Sequence, residues 1–529
     1  MCRRWLHVLG LVSFLGVWPP LAGATGPAWV EVRSPHFSVL TDAGEKSGRE
    51  VALRFEQMRV LFGKFLGQAN VTLPAPLQVV AFRSSKEMNE FTPLWQGKPT
   101  QAAGWYFAYA DVSFILLDLS VPDPWPVVFH EYAHELLNGN TSSRVQLWFD
   151  EGFAEYFSTI KISDKEADIG LIAENQLNLL RQNTCRMTGG CNNVWMSTRD
   201  LFQVPRESSV YHETTEHRSM FSAESWLAVH YIYDKRWIDR TFSYFNLVSS
   251  GVPVEDAIRQ AFGITSMVFD GELHGYVKEG RFLYAKVTPP VGIESSGYST
   301  KTLDGSDATA MLADVHLHAH GYEDKAVAEF ENVLKVQPGN CLALRGLGDA
   351  YLKKGDFQRA SDYLKQALEH NPDDPRALYY SGLTLEMEEG ANLGKDLDKL
   401  AVARKQLERA TALDPEYADA FARLGQIYAA QAKSDSAIHM MLEAAELSPR
   451  NEGYSLDLAQ LYIAANRYDD AIPLLQLRAR SGETKMAAAA SAMLKTAEDR
   501  KRAASQGHVS PQGAAQSTSG SPSGQKPNP

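Results

Sequence analysis

The segment that decides the architecture of the first half of the chain reads PWPVVFHEYAHELL, residues 124–137. Prolines at its start suit the first turn of a helix. On that helix His130 and His134 are four residues apart, so both imidazoles project from one face and can bind one metal ion. Glu131 lies about a quarter of a turn away, where a carboxylate can take a proton from water. The segment predicts a helix that carries part of a zinc-dependent hydrolytic site.

A second segment, WFDEGFAEYF at residues 148–157, supplies the ligand that the first segment lacks. Glu151 follows His134 by 17 residues, which is enough chain for the first helix to end and for a second helix to return beside it. We expect Glu151 to be the third protein ligand of Zn²⁺. Three protein ligands leave one position open, as a catalytic zinc site requires.

Two further carboxylates of this second segment are predicted to support the ligands from outside. Glu155 follows Glu151 by one helical turn and can accept the outer N–H of a ligand histidine, which fixes the tautomer of the ring. Asp150 is the other predicted outer partner. The alternative interpretation is a solvated acidic helix face, but the segment is too rich in aromatic residues for that.

The second half of the chain is repetitive. One series of alanines is spaced by 34, 43, 34 and 34 residues: Ala326, Ala360, Ala403, Ala437 and Ala471. Prolines recur in step with it: Pro338, Pro372, Pro415 and Pro449. A period of about 34 residues with a small residue in a fixed slot and a closing proline predicts stacked helix pairs. The nine extra residues of the long step predict a loop near Glu388 to Asp396.

These units resemble tetratricopeptide repeats, with LGDAY at residues 347–351 and LGQIY at residues 424–428 in the expected place. The resemblance covers about residues 307–480 and implies five units. The Ala, Lys and Glu content of residues 485–504 predicts a helix from Lys485 to Ala504 that caps the last unit, so we expect an all-α solenoid over residues 307–504. Residues 505–529 are rich in Gly, Ser, Pro and Gln and are predicted to be disordered. Such repeats imply a protein partner or protein substrate, bound on their concave face.

The first half shows a mixed pattern of strands and helices. Alternating residues predict a hairpin from residues 29–32 to 36–40 and a second hairpin over residues 107–117 around Ala110-Asp111. Residues 50–65 favour a helix, and residues 77–82 favour a strand. We expect an α+β domain over residues 25–290, joined to the repeats by a linker at residues 291–306.

The two motifs together resemble the zinc signature of gluzincin metallopeptidases. The whole first half is still more similar to the peptidase-MA-like family of bacterial exported proteins, which carry such a domain before tetratricopeptide repeats. The resemblance implies a thermolysin-like fold, Zn²⁺ held by His130, His134 and Glu151, and Glu131 as general base.

This chain departs from the resemblance in two places. Nothing matches the Gly-x-Met-Glu-Asn segment with which aminopeptidases read a free substrate N-terminus. The strand before the zinc helix is the apolar Val112–Leu117, and an apolar edge strand beside the metal favours an endopeptidase, because it can pair with an extended peptide. The second departure is Ser222, which occupies a slot where the family places a Tyr that stabilises the oxyanion. Tyr211, His212 and His217 are possible substitutes, and weak or lost turnover stays open.

The ends and the cysteines indicate where the protein resides. Residues 1–24 read as a signal peptide, with Arg3 and Arg4 before an apolar run and small residues at the end, so we expect export to a periplasmic or extracellular location. In such an oxidising compartment the close pair Cys185 and Cys191 predicts a disulfide. No transmembrane segment is expected in the mature chain.

The charge excludes one class of partner. The chain carries 52 Lys and Arg against 64 Asp and Glu, a formal net charge of −12, so nucleic acid is not an expected partner. In the first repeat His316, His318 and His320 lie close in sequence, but no carboxylate or cysteine partner is evident beside them. Two hypotheses therefore stand: an exported zinc metallopeptidase whose repeats recruit its substrate, and a catalytically weak or inactive zinc-domain scaffold that acts as a protein-interaction module in the cell envelope.

Overall fold

The computed structural model describes residues 28–66, 71, 73, 75–95, 98–100, 103–141, 145–163, 166–183, 195–205, 208, 216–288, 293–391, 396–479 and 485–507. Several predictions lie outside these residues: the signal peptide, the Cys185–Cys191 disulfide, Tyr211, His212, the side chain of His217 and the tail from residue 508. No described helix is both long and apolar enough to cross a bilayer.

The strands of the first half form one large and two small sheets. They are β1 Val30–Arg33, β2 Ser38–Thr41, β3 Leu77–Phe82, β4 Leu94–Trp95, β5 Lys98–Pro99, β6 Gly104–Ala108, β7 Ser113–Asp118, β8 Lys161–Ile162, β9 Ala167–Ile169, β10 Ala285–Val287 and β11 Ser299–Thr302. The large sheet has the order β11-β1-β2-β3-β7-β6. Strands β2, β3 and β7 are parallel, and the other neighbours are antiparallel. Both predicted hairpins and the predicted strand 77–82 are confirmed.

The helices of the first half are α1 Glu45–Leu66, α2 Ser85–Met88, α3 Trp125–Asn140, α4 Leu147–Ser158, α5 Glu174–Asn183, α6 Thr198–Leu201, α7 Glu216–Asp234, α8 Ile238–Ser249, α9 Val254–Phe262 and α10 Ser266–Glu279. Of these helices, α1 and α3 pack on one face of the large sheet, and the later helices build outward from them. The predicted helix 50–65 is confirmed as the greater part of α1. The two sequence motifs occupy α3 and α4, which pack against each other.

The second half is entirely helical within its described residues, as predicted. Its helices are α11 Gly305–His318, α12 Glu323–Val336, α13 Cys341–Lys353, α14 Phe357–His370, α15 Pro375–Ala391, α16 Leu397–Leu413, α17 Ala418–Ala430, α18 Ser434–Leu447, α19 Glu452–Ala464, α20 Tyr468–Ala479 and α21 Lys485–Gly507. Two boundaries differ from the prediction. The predicted loop begins inside α15, and α21 passes Ala504 into the predicted tail, because residues around both points still favour helix.

The large sheet is buried on both faces, and each face has its own apolar core. In the central strands, Val79 and Ile115 join the core formed with α1, α3 and α4. The next residues, Val80 and Leu116, point the other way and join a core that includes the first repeat helix, α11. The first repeat therefore covers the face of the sheet opposite the two motif helices.

The predicted linker is part of this arrangement and not a free connection. Within residues 291–306, strand β11 pairs with β1, and α11 begins at Gly305. The Leu303 amide donates a hydrogen bond of 2.9 Å to the Trp29 carbonyl, which continues the pairing. An edge strand such as β1 offers unpaired backbone groups, and β11 satisfies them. The chain therefore enters the repeats directly from the sheet.

Candidate functional site

Three predicted ligands converge between α3 and α4. His130 Nε2 lies 3.2 Å from His134 Nε2, and the two nitrogens lie 3.8 and 3.6 Å from the carboxylate oxygens of Glu151. Two nitrogens about 2.0–2.1 Å from a tetrahedral zinc ion would be separated by about 3.3 Å. The spacing and the donor set of these side chains therefore fit a zinc ion.

The two predicted outer carboxylates lie behind the histidines. His134 Nδ1 donates a hydrogen bond of 2.9 Å to Asp150, whose side chain is almost fully buried. Glu155 lies 3.9 Å from His130 Nδ1, beyond direct hydrogen-bond length, and accepts a bond of 3.1 Å from Gln176. Asp150 is thus positioned to fix the tautomer of His134, whereas Glu155 is too far from His130 to bind its ring directly.

Burial and neighbouring charges shift the ionisation of this group. Burial lowers the pKa of His134, but the hydrogen bond to Asp150 and the charges of Asp150, Glu151 and Glu131 raise it to about 9. Burial, aided by the charge of Glu151, raises the pKa of Glu155 to about 7. These directions reflect two histidines and several carboxylates crowded in a partly buried space, which is a setting that a divalent cation stabilises.

A glycine in the second motif allows α4 to lie against α7. A Cβ atom on Gly152 would fall 2.2 Å from the Ser225 carbonyl oxygen and 2.8 Å from the Val229 side chain. Real Cβ contacts are never that short, so the two helices can approach only at a glycine. This close approach fixes the position of Glu151, the residue before it.

The strand that borders the cluster differs from the prediction. We expected the apolar strand Val112–Leu117 to be the free edge, but as β7 it is paired on both sides. Among the described residues the edge is β6, and it lies beside α3. The physical reason is that the hairpin folds back along the sheet, so its first strand covers the second. At Gly104 an added Cβ would contact Val128 of α3 at 3.1 Å.

Two polar residues join β6 to α3, and the sequence did not single them out. Tyr106 interacts with Glu135, one residue beyond His134, and this bond opposes the burial that raises the pKa of Glu135. Burial and the charges of Glu135 and Glu131 raise the pKa of Tyr106. A tyrosine on an alternating strand and a glutamate inside a helix carry no spacing signal that links them.

The structure describes the side chain of Ser222, which occupies the slot where the resemblance places an oxyanion-stabilising Tyr. This residue lies on α7 and is partly buried. The proposed substitutes Tyr211 and His212 lie outside the described residues, as does the side chain of His217. Their role stays a prediction.

A cavity of about 650 Å³ lies beside Glu155. Asp123 and Pro126 before and at the start of α3, Ile172 before α5, and Tyr284 before β10 contribute to its wall. It combines acidic and apolar groups and is large enough for a few amino-acid side chains.

A second histidine–carboxylate cluster lies between the sheet and the repeats. His318 Nε2 is 3.2 Å from Asp111, in the β6–β7 turn, and 3.7 Å from Asp349 on α13. Lys353 Nζ is 3.0 Å from the same His318 nitrogen. Asp111 and Asp349 come from distant segments, and a third carboxylate, Asp314, lies four residues before His318 on α11, 3.4 Å from His318 Nδ1.

The other two histidines of the first repeat lie apart from that cluster. His316 Nδ1 lies 2.8 Å from Glu329 and its ring stacks on Phe91. His320 is 92% exposed. No described residue links His316 and His320 into a shared site.

Three family comparisons match parts of the chain. Residues 317–379 and 390–452 match families described as tetratricopeptide repeat. Residues 126–255, which include His130, His134 and Glu151, match a family described as "Protein of unknown function (DUF1570)". The second half is thus a tetratricopeptide-repeat solenoid, and the first half joins a mixed sheet to helices.

Individual relatives cover less than half of this chain. "Protein CTR9 homolog" from Arabidopsis thaliana is 32% identical over 84 residues, which is 16% of this chain and 7% of that protein. The structure of MamA is 22% identical, covers 39% of this chain and 98% of its own, and has a TM-score of 0.26. The structure of Pseudomonas aeruginosa pilF is 22% identical, covers 38% of this chain and 88% of its own, and has a TM-score of 0.32.

Proposed function

We propose that the chain is an exported zinc-dependent peptidase with a gluzincin-like site that cuts peptide bonds within protein substrates. The observation that carries the proposal is the convergence of His130, His134 and Glu151 at distances that suit one zinc ion, with Glu131 on the same helix. The predicted signal peptide supports export. The resemblance to peptidase-MA-like proteins supports the choice of reaction.

In this proposal each side chain near the cluster has a distinct task. Bound zinc supplies Lewis-acid chemistry, which polarises a carbonyl and activates water. Glu131 accepts a proton from the attacking water and delivers it to the leaving amine nitrogen. Asp150 holds His134 so that Nε2 faces the metal.

An extended peptide fits the strand that borders the cluster. Strand β6 pairs with β7 on one side, and as the edge strand it offers backbone donors and acceptors to a substrate backbone. The cavity beside Glu155 can take substrate side chains. Pairing along a strand does not require a substrate terminus, which favours an endopeptidase.

The decisive test is Glu131→Gln in the full chain. The variant should bind one equivalent of zinc and lose about 10²- to 10⁴-fold in kcat/KM on an unfolded protein substrate, since it cannot accept a proton. Metal content and hydrolysis are measured together. Glu50→Gln, the same change at a position 57% exposed on α1, is the matched control and should cleave like the parent. Equal hydrolysis by Glu131→Gln and the parent would refute the role of Glu131.

A second function is favoured by Ser222 and by the repeats. Tetratricopeptide repeats indicate a protein-interaction role, and Ser222 lacks the phenol expected at its slot to stabilise an oxyanion. The chain would then bind peptides without cutting them. Zinc bound at one equivalent with no cleavage of any unfolded substrate supports this scaffold function, whereas cleavage that a chelator stops supports the peptidase.

A further inference from the structure

The turn of the β6–β7 hairpin is embedded in the repeats. Asp111, 8% exposed, accepts a hydrogen bond from the Tyr380 hydroxyl and lies 3.2 Å from His318 Nε2 and 3.8 Å from an Arg376 nitrogen. The hydroxyl of Tyr109, two residues earlier, donates to the carbonyl of His318. A carboxylate in such a setting is held by several charge-assisted bonds.

These partners lie on the first helices of successive repeats. His318 ends α11, and Arg376 and Tyr380 lie on α15, while Lys353 of α13 contacts His318. The first helices contact one another, α11 with α13 and α13 with α15, more closely than the second helices do. They therefore line the inner, concave side of the solenoid. In these three repeats the concave side, predicted to take a partner, holds the chain's own hairpin.

The other end of the hairpin packs on α3, the helix that carries His130 and His134. Gly104 packs on Val128 of α3, and Tyr106 interacts with Glu135. Strand β6 therefore runs from the repeats, at its turn, to the helix that carries both histidines. It has a ladder partner on one side among the described residues, so contacts at its ends matter for its position.

The repeats also touch the far end of α3. The Arg450 Nε donates a hydrogen bond of 3.0 Å to the hydroxyl of Thr141, the residue after the helix. Arg59 of α1 lies 3.6 Å from Glu416, in the turn before α17. The same solenoid thus contacts the turn that follows β6 and the residue that follows α3.

We propose that the first three repeats position the edge strand β6 for substrate, with Asp111 as the positioning residue that links them. The proposal rests on the proposed peptidase function and assigns the repeats a part in substrate binding. A strand fixed at its turn pairs with a peptide without first being ordered, so less binding free energy is spent. The pairing acts equally on bound substrate and transition state, so its loss raises KM more than it lowers kcat.

The test compares Tyr380→Phe and Asp111→Asn with the parent, all as zinc-loaded full chains. Tyr380→Phe keeps the ring and removes the hydroxyl, which donates to Asp111 and accepts a bond of 2.8 Å from Arg376 Nη2. It remains informative if Asp111→Asn fails to fold. The matched control is Tyr417→Phe, because the buried Tyr417 hydroxyl makes no hydrogen bond within the described residues. Amide hydrogen exchange, zinc content, KM and kcat are measured for each.

We expect exchange over residues 104–108 to accelerate about tenfold in Tyr380→Phe and about 10- to 100-fold in Asp111→Asn, as for loss of a bond to a buried charge. Helices α18 to α20 should exchange as in the parent, and zinc content should not change. KM should rise about tenfold, with kcat altered less than about threefold. Tyr417→Phe should match the parent in every measurement.

Three results would overturn the proposal that the repeats position β6 for substrate. Unchanged exchange in β6 overturns the proposal, and so does an acceleration spread evenly over the whole chain. Faster exchange in β6 with unaltered KM shows that the strand does not serve the substrate, which also overturns it. If the parent cuts no peptide, the peptidase function fails, while the exchange data still decide whether the repeats hold β6.

Discussion

Two clusters of histidine and carboxylate occur in this molecule, and they differ in what accompanies them. Three ligand atoms lie within 4.8 Å of one another in the group His130, His134 and Glu151, and also in the group Asp111, His318 and Asp349. In the second group Lys353 Nζ lies 2.8 Å from Asp349, and Arg376 lies 3.8 Å from Asp111. The second cluster thus includes two cationic side chains and is buried between the large sheet and the repeats.

Both clusters have similar ligand spacing, so spacing alone does not define a metal site. His318 is fully buried, whereas the side chains of His130 and His134 are 20% and 17% exposed and so can be reached from solvent. A lysine already occupies the coordination side of His318, and a metal ion there would meet a like charge. These differences support the proposal that the first cluster binds zinc, whereas the second cluster joins the repeats to the sheet.

Removal of one ligand from each cluster gives the largest expected difference. His134→Ala should bind zinc more than 100-fold more weakly than the parent. Loss of an outer hydrogen-bond partner typically weakens metal binding about 10- to 100-fold, and loss of a direct ligand should weaken it more. His318→Gln should keep one equivalent of zinc. Titration with zinc against a chelator of known affinity measures both. If His318→Gln lowers the bound zinc, or the parent binds two equivalents, the second cluster is a metal site.

The cluster of His130, His134 and Glu151 also depends on close packing of α4 against α7. Gly152→Ala places a Cβ against the backbone of Ser225 and should destabilise the chain by at least about 3 kcal/mol, the upper end of the usual cost of overpacking. Denaturant unfolding measures this loss. Gly271→Ala on α10 is the control, since nothing lies within 4 Å of its added Cβ, and it should gain about 0.5–1 kcal/mol. Equal stability of the two variants would contradict the packing argument.

The two clusters also show what the sequence could and could not predict. The i, i+4 spacing of His130 and His134 sets both rings on one face of α3 whatever the rest of the chain does, so the local pattern sufficed. The placement of Glu151 required only a turn and a return helix. Asp111 and His318 are 207 residues apart and come together only when the repeats pack on the sheet. No period or spacing records that event.

Some short elements are not predictable from the sequence for a related reason, namely that they form only through contacts with distant segments. Strand β11 reads as Ser, Thr and Lys, a composition typical of a loop, and it forms because β1 needs a partner along its edge. The long regular signals, such as the 34-residue period and the apolar strand Leu77–Phe82, were read correctly because each satisfies its own local pattern. The assignment of the free edge failed because which strand of a hairpin lies outside depends on the rest of the sheet.

The stability that the second cluster, Asp111, His318 and Asp349, gives the fold should decrease at alkaline pH. Burial lowers the pKa of His318, but its hydrogen bonds to Asp111 and Asp314 and the charge of Asp314 outweigh burial and the charge of Lys353, and raise the pKa to about 9. An unfolded histidine titrates near about 6.5. The charged form therefore stabilises the fold fully below about pH 6.5, and this contribution is lost as pH rises through about 9.

The size of that loss is on the order of 3 kcal/mol between these limits. Urea unfolding of the zinc-loaded parent at a series of pH values measures it. His318→Gln is the control, because it should lack the part of the slope that this ring causes. Parallel pH profiles for the two proteins would show that His318 is not charged at the interface.

The smallest difference that we expect is in zinc affinity, between variants of the two carboxylates that lie behind His130 and His134. Asp150 lies 2.9 Å from His134 Nδ1, whereas Glu155 lies 3.9 Å from His130 Nδ1 and also takes a bond from Gln176. Asp150→Asn should weaken zinc binding about 10- to 100-fold, since the amide is a poorer acceptor for the ring N–H. Glu155→Gln should weaken it less than tenfold, because it removes a charge without breaking a direct bond. Competitive zinc titration ranks the two variants. The reverse order would mean that Glu155 moves onto His130 when zinc binds, and that the metal reshapes α4 around itself.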